Sequence, residues 1–279
     1  MLSVNETILE HAAEQISNAS AILIGAGAGM GVDSGLPDFR GDEGFWRAYP
    51  PYRHLGLSFV ALANPAWFDR DPRLAWGFYG HRLQLYRRTE PHPGFQILRR
   101  WLARAGNGFV VTSNVDGQFQ QAGFAVDRIL ECHGSLHHLQ CITPCSDAIW
   151  SAETTVIAVE EQSFRAREPL PRCCHCGRLA RPNVLMFGDD RWCTKRTAAQ
   201  QTAFERWLAT LADCQSVVIE CGAGRAVPTV RHLCEWIAAH CKAALIRINP
   251  REPEGPANTL SIAAGALETL SAIDARLGN

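Results

Sequence analysis

Apolar residues at Ile8, Ala12 and Ile16, with polar positions between them, predict an amphipathic helix from Asn5 to Ala19. It leads into Ala21-Ile22-Leu23-Ile24, an unbroken, partly β-branched apolar run of the kind that forms a parallel strand covered on both faces. Similar runs recur at Gly108 to Thr112, Arg128 to Leu130, Ser216 to Glu220 and Ala244 to Asn249, and regular alternation resumes at Val184 to Phe187 after an interruption. Helical spacing fills the intervals: Asn64 to Thr89, Gly94 to Ala105, a short piece from Asp116 to Ala122, Thr197 to Ala212, Val230 to His240, and a last helix ending near Leu277. Strand and helix alternating in this way predict a doubly wound parallel α/β sheet with right-handed crossovers. Two stretches break the pattern. Gly41 to Phe59 mixes Gly, Pro and aromatics without a period and predicts a long loop. Leu139 to Pro182 has paired cysteines and frequent prolines, and predicts an inserted module. The expected division is a sheet domain of residues 1–44, 89–138 and 183–279, and a smaller domain made of a helical module, 45–88, and a cysteine-bearing module, 139–182.

A chain of 279 residues buries one large core and a satellite. The formal net charge of −1 argues against a specific nucleic-acid partner or a membrane surface, and the basic stretch Arg82 to Arg104 falls in helical patterning, as a solvated face. No apolar run reaches the roughly 18 residues a bilayer span needs, and Glu6, Glu10 and Glu14 are unlike a signal peptide, so a cytoplasmic protein is expected. The cysteine count is eleven, an odd number in a long chain. Cys214, Cys221, Cys234 and Cys241 stand singly in apolar segments as small hydrophobes. Five others cluster: Cys141 with Cys145, and Cys173-Cys174 with Cys176, offer four thiolates to a tetrahedral, structural zinc. Cys173 and Cys176 form the C-x-x-C pair; Cys174 remains open as an alternative ligand, His175 is expected to be exposed, and redox disulfides are the rival reading.

Four places look chemical. After the first strand come Gly25, Gly27, Gly29 and Gly31, where a backbone without β-carbons would turn sharply and bring N–H groups to an anionic ligand. Ser113-Asn114-Val115-Asp116 lies at the C-terminal end of a strand, the ligand-binding edge of open parallel sheets. His133-Gly134 follows the next strand, and a second glycine turn, Cys221-Gly222-Ala223-Gly224-Arg225, follows a later one.

Taken together these motifs resemble the sirtuins, the NAD-dependent protein deacylases. Gly27-Ala28-Gly29 with Asp33-Ser34-Gly35-Leu36-Pro37-Asp38-Phe39-Arg40-Gly41 is similar to the family's cofactor loop, and Asn114-Val115-Asp116-Gly117 with Ala122-Gly123 to its Asn-Ile-Asp motif. Cys132-His133-Gly134 falls where the family carries its catalytic His-Gly pair, Arg181 to Asp189 resembles its substrate-binding segment, and Ile248-Asn249 its adenosine contact. The resemblance covers nearly the whole chain in the right order. It implies a Rossmann-type NAD-binding domain beside a small helical and zinc-ribbon domain, with NAD and a structural zinc. It also implies cofactor contacts at Gly27, Ala28, Gly29, Asp38, Phe39, Arg40, Ser113, Asn114, Asp116, Gly222, Ala223, Gly224 and Asn249. His133 is implied as the general base for a ribose hydroxyl, with Asn114 and Asp116 beside it; Phe39 would shield the reactive sugar and Arg40 order its loop. The acylated lysine of a protein substrate would lie along Val184, Phe187 and Gly188 as an added strand between the domains.

Tyr79-Gly80-His81-Arg82 bears on acyl choice. Helical positions three apart share a face, so a phenol and a guanidinium there would form a carboxylate receptor. Desuccinylase-type sirtuins carry Tyr-x-x-Arg in this region. The chain departs from the family at Ser113, Gln118-Phe119 and Gly31, and most at Gly222 to Pro228, which is one residue shorter, lacks the usual hydroxyls and adds Arg225. The competing functions are therefore protein ADP-ribosyl transfer or NAD hydrolysis on the same fold, and a non-enzymatic NAD-sensing or zinc-ribbon module.

Overall fold

The computed structural model describes residues 6–38, 41–160, 162–212 and 214–278, apart from the side chains of residues 41–43. Nine strands are described: β1 (Ala21–Ala26), β2 (Gly108–Thr112), β3 (Ile129–Glu131), β4 (Gly134–Cys141), β5 (Ile149–Ser151), β6 (Ala180–Val184), β7 (Ser216–Cys221), β8 (Ala244–Ile248) and β9 (Leu260–Ile262). Six of them form one sheet in the order β3-β2-β1-β7-β8-β9, parallel throughout.

Alternation of side chains across this sheet produces the double winding. Ile22, Ile24, Val110, Val217, Ile219 and Ile246 face one way and join residues of the helices Glu6–Asn18, Pro93–Ala105 and Ala266–Arg276. Leu23, Phe109, Val111, Val218 and Leu245 face the other, against Lys195–Leu208 and Thr229–His240. Both faces are covered, which is why the strands read as continuous apolar runs. The exceptions are charged: Glu220 and Arg247 are register partners on β7 and β8, both fully buried. Arg247 Nε and Nη2 donate to the Glu220 carboxylate at 2.7 and 2.8 Å, Nη2 also to Glu235 at 2.8 Å, and Nη1 to the Glu254 carbonyl at 2.7 Å. Removing one partner of such a pair strands a buried charge, at a cost of about 3–5 kcal/mol.

The remaining strands form a second, antiparallel sheet, β5-β4-β6. Three expectations are corrected here. The strand lies at Ala180–Val184 rather than over Val184 to Phe187, and the small sheet begins at Gly134. The region expected as a loop after Gly41 is instead three short helices, Gly41–Ala48, Pro50–His54 and Phe59–Leu62. Pro50 and Pro51 sit in the first turn of the second, where a missing N–H costs nothing, and Ser58 Oγ accepts Ala61 N–H at 3.1 Å to start the third. Aromatic packing holds them: Phe45 lies 5.4 Å from Tyr49, 6.1 Å from Tyr52 and 5.9 Å from Phe78, ring centre to ring centre. The predicted 64–89 helix is broken at Asp71, whose carboxylate accepts Leu74 N–H at 3.1 Å and starts Pro72–Arg88. None of the described helices is long and apolar enough to cross a membrane.

Candidate active site

The two glycine turns interlock at the C-terminal ends of β1 and β7. A β-carbon on Gly27 would lie 2.6 Å from Ala223 Cα, one on Gly29 2.7 Å from Gly222 Cα, and one on Gly222, at φ +65°, 2.4 Å from Gly29 Cα. Gly27 N–H donates to Cys221 O at 3.0 Å and Gly29 N–H to Gly222 O at 3.1 Å. These two amides therefore face the neighbouring turn, not inward to a ligand as the sequence led us to expect. Ala28 begins a 3₁₀ helix that runs to Ser34. Asn249, fully buried, joins the second turn to the chain after β8: Nδ2 donates to Ala223 O at 2.9 Å, and Oδ1 accepts from the amides of Arg251 and Glu252, both at 3.0 Å. Between these turns lies a cleft bordered by Gly29, Asp33, Asp38, Gly222, Pro250 and Arg251. Gly224 is partly buried and Arg225 exposed, with its guanidinium on Glu254 at 2.8 Å and its amide on Glu252 at 3.0 Å. Phe39 and Arg40 lie outside the described residues.

The next strand ends supply the polar groups. Ser113 N–H donates to Ala26 O at 3.1 Å, continuing β2 beside β1. Asn114 Nδ2 donates to Gly27 O at 3.0 Å, which ties its side chain to the glycine turn. Asp116 is buried, accepts Gln118 N–H on Oδ1 at 2.9 Å, and its own carbonyl accepts His137 Nε2–H at 2.8 Å. Burial raises its pKa to about 6, the neighbouring Glu131 adds to this, and the Gln118 amide opposes it. His133 stands in the turn after β3, its carbonyl held by Leu185 N–H at 3.0 Å and its Nε2 3.4 Å from Thr229 Oγ1. Burial lowers its pKa below the ordinary 6.5, against an opposing contact with the Ser113 backbone, so the ring is neutral at pH 7. Gly134 follows because nothing larger fits: its φ is +76° and a β-carbon would lie 2.1 Å from Asn183 O.

Asn114, Asp116 and His133 thus come from adjacent strand ends, β2 and β3, beside the Gly27 turn on β1. Sequence reasoning missed what lies beneath them. Glu131, 1% exposed, ion-pairs with Arg196 and exchanges hydrogen bonds with Gln200, 3.1 Å from its amide and 3.3 Å to its carboxylate, so the helix Lys195–Leu208 is clamped to the strand that carries His133. The available signal was a lone carboxylate at the end of an apolar strand, opposite a helix carrying Arg196 and Gln200 one turn apart.

The substrate candidates divide. Val184 is buried at the end of β6, with its carbonyl accepting Arg181 Nη2 at 2.8 Å. Phe187, 37% exposed, has its amide on Ala63 O at 2.9 Å, and Gly188 takes φ +68°. Arg181 and Asp189, their side chains completely buried, hold this segment as a bidentate ion pair. Tyr79 and Arg82 are buried on one helix; Tyr79 lies 5.7 Å from the Phe68 ring, while Arg82 donates from Nε and Nη2 to Tyr86 Oη at 2.9 and 2.7 Å.

In the small domain, Cys141, Cys145, Cys173 and Cys176 place their sulfurs within 4.8 Å of one another, with Cys141–Cys176 at 3.6 Å and Cys145–Cys173 at 3.7 Å. A tetrahedron with Zn–S bonds of about 2.3 Å has edges of about 3.8 Å, so the four thiols fit that ion. They are too far apart for disulfides, whose bonds are about 2.05 Å. Cys174 and His175 are exposed and outside the cluster, which Cys173 joins.

A parallel dinucleotide-type sheet with a four-cysteine module, and a histidine and an Asn-x-Asp beside its glycine turn, define the class. The model of the Sir2 family matches residues 27–217, and the chain belongs to that family. It is 32% identical over 239 residues to "NAD-dependent protein deacylase 1" of Pseudomonas aeruginosa, covering 85% of this chain and 86% of that one. It is 30% identical over 268 residues to an "NAD-dependent protein deacylase" of Thermus thermophilus, covering 94% and 92%. Among solved structures, that of a Sir2 homologue–NAD complex matches with a TM-score of 0.71 at 26% identity over 96% of this chain and 93% of the other.

The raised Asp116 pKa has a thermodynamic consequence. A carboxyl whose folded pKa exceeds its unfolded value binds its proton more tightly in the native state. Its contribution to stability is therefore complete below the ordinary 3.8 and is lost as pH climbs from there to about 6, above which the buried charge costs about 3 kcal/mol. Asp116→Asn removes that charge. Urea unfolding should show the variant more stable than the parent at pH 7.5 by up to about 3 kcal/mol, with the gap closing by pH 4; a gap independent of pH would mean that Asp116 does not titrate in this window.

Proposed function

We propose that this Sir2 family member is an NAD-dependent protein lysine deacylase, transferring the acyl group of a modified lysine to ADP-ribose and releasing nicotinamide. The observation that carries the reading is His133: a ring kept neutral at pH 7, with Nε2 3.4 Å from the Thr229 hydroxyl, at the strand edge that also holds Asn114 and Asp116. A pure binding module has no use for a general base there. Bound NAD supplies the nicotinamide–ribose bond whose cleavage generates the acyl acceptor. His133 takes the proton of a ribose hydroxyl at a ring nitrogen. Asp116, mostly ionised at pH 7, accepts from the nicotinamide amide, and Asn114 holds a ribose hydroxyl or an ordered water. The interlocked turns carrying Gly27 to Gly29 and Gly222 to Gly224, with Asp38, Phe39, Arg40, Ser113 and Asn249, border the dinucleotide. The four cysteines hold a structural zinc. We assign residues 1–44, 89–138 and 183–279 to the NAD-binding domain and 45–88 and 139–182 to the small domain, supported by an aromatic-rich core drawn mainly from the latter. The substrate lies along Val184, Phe187 and Gly188, Tyr79 and Arg82 receive an acidic acyl group, and the protein works in the cytoplasm.

One observation favours a second reading. The shortened Gly222–Pro228 turn carries Arg225, engaged with Glu254, where family hydroxyls would contact ribose and phosphate; ADP-ribosyl transfer or NAD hydrolysis would follow from a loosened cofactor. Mass spectrometry of purified protein with NAD and matched acetyl-lysine, succinyl-lysine and unmodified peptides separates the two. O-acyl-ADP-ribose together with a deacylated peptide is the expected result. Free ADP-ribose, or a peptide gaining ADP-ribose, with no acyl group lost would replace the deacylase reading.

A further inference from the structure

Arg231, 5% exposed, is the third residue of the helix Thr229–His240. A buried cation in the first turn of a helix opposes the helix dipole, so its place there answers to its partners. Most of them are main-chain oxygens. Nη1 donates to Glu252 O at 3.0 Å and more weakly to Ala223 O at 3.4 Å, and Nη2 donates to Glu254 O. Nε lies 3.7 Å from the Glu235 carboxylate, which also receives Arg247. One guanidinium therefore joins two segments: the glycine turn after β7, through Ala223, and the loop after β8, through Glu252 and Glu254. These segments adjoin Gly222, Pro250 and Arg251, which border the cleft. Arg225 crosses between the same two segments, but its pair with Glu254 is solvent-exposed, and such pairs contribute little. Hydrogen bonds from a buried charged donor contribute more.

The strand order decides which part of a dinucleotide these segments meet. Asn114, Asp116 and His133 stand at the ends of β2 and β3, while β7 and β8 lie on the other side of β1. A dinucleotide laid across the strand ends, with its reactive ribose at His133, has its adenosine half at β7 and β8. We propose that Arg231 is a positioning residue for that half: by holding the Ala223 turn to the Glu252–Glu254 loop, it fixes the walls that receive the adenosine diphosphate portion of the cofactor. This rests on the NAD reading of the site. It also accounts for a glycine turn that is one residue short and lacks the family's hydroxyls, since the turn is held from behind by a helix and not by side chains of its own.

The test is calorimetric titration of ADP-ribose, which carries the adenosine half and needs no turnover, into the parent, Arg231→Met and Arg231→Lys. Methionine keeps an apolar stem and removes every donor, while lysine keeps the charge without the planar fork that spans two segments. The dissociation constant should rise about tenfold in Arg231→Met, equivalent to about 1.4 kcal/mol, and about threefold, half of that free energy, in Arg231→Lys. Loss of folded protein lowers the stoichiometry of such a titration and leaves the dissociation constant alone, so an arginine that served stability and nothing else would change the first and not the second. A parental dissociation constant in Arg231→Met, or in Arg231→Lys where the methionine variant does not fold, overturns the proposal. A parent that binds no ADP-ribose removes the NAD reading itself, and is recognised before either variant is made.

Discussion

His133→Ala should abolish acyl transfer while leaving NAD bound. The ring's polar neighbours are Thr229 Oγ1 at 3.4 Å and the Ser113 backbone, while the main-chain contact with Leu185 survives the substitution. What disappears is a base with a pKa below 6.5, uncharged and ready to accept a proton at neutral pH. General-base catalysis accounts for about 10²–10⁴ in rate, so turnover should drop by at least that factor. Calorimetric titration with NAD should give an affinity within about threefold of the parent, since Asn114, Asp116 and both glycine turns are untouched. Turnover persisting at the parental level would sink the assigned chemistry. The pH profile of the parent provides a companion check. Because burial depresses the His133 pKa, the acidic limb of kcat/KM should lie below pH 6.5.

Stripping zinc should have the larger effect on the protein as a whole. Structural zinc contributes an apparent 10–16 kcal/mol in small zinc modules at pH 7, comparable to the whole stability of a domain. The four thiols tie together segments 28 or more positions apart: Cys145 and Cys176 are exposed, and Cys141 and Cys173 are buried. Cys141 also ends β4, and β4 begins at Gly134, next to His133. Melting that end therefore loosens the strand leading into the active site. Incubation with a strong chelator, or Cys173→Ala, should remove equimolar zinc by atomic absorption, lower the melting temperature and extinguish activity together. A chelated protein that melts like the untreated one would show that the four thiols hold no structural ion.

The large sheet was legible because each parallel strand is covered on both faces and so stands out as an apolar run. β9 escaped because three residues, Leu260–Ile262, following a Pro- and Gly-containing loop carry no such signal. The helices between Gly41 and Leu62 escaped for a different reason. Each is at most eight residues long, and rings from distant segments, among them Phe78, hold them in place. Of the site, the residues whose types carry the chemistry were visible in order along the chain. Their supports were not, since Gln200 on Glu131 and Thr229 beside His133 are separated by 69 and 96 positions. Glu220 and Arg247 were detectable in principle, as opposite charges in apolar strands, but only the register that makes them partners turns two anomalies into one ion pair.

The way the two glycine turns fit together changes what their presence in a chain means. Gly27, Gly29 and Gly222 are required by one another's backbones before any ligand arrives. A descendant that had ceased to turn over NAD would keep all three, because losing any one would unseat the join between β1 and β7. Glycine signatures are thus a record of ancestry and foldability in this lineage. Evidence of a working enzyme has to be sought at positions such as 133, where it is the imidazole's chemistry, and not a backbone fit, that selection for activity preserves.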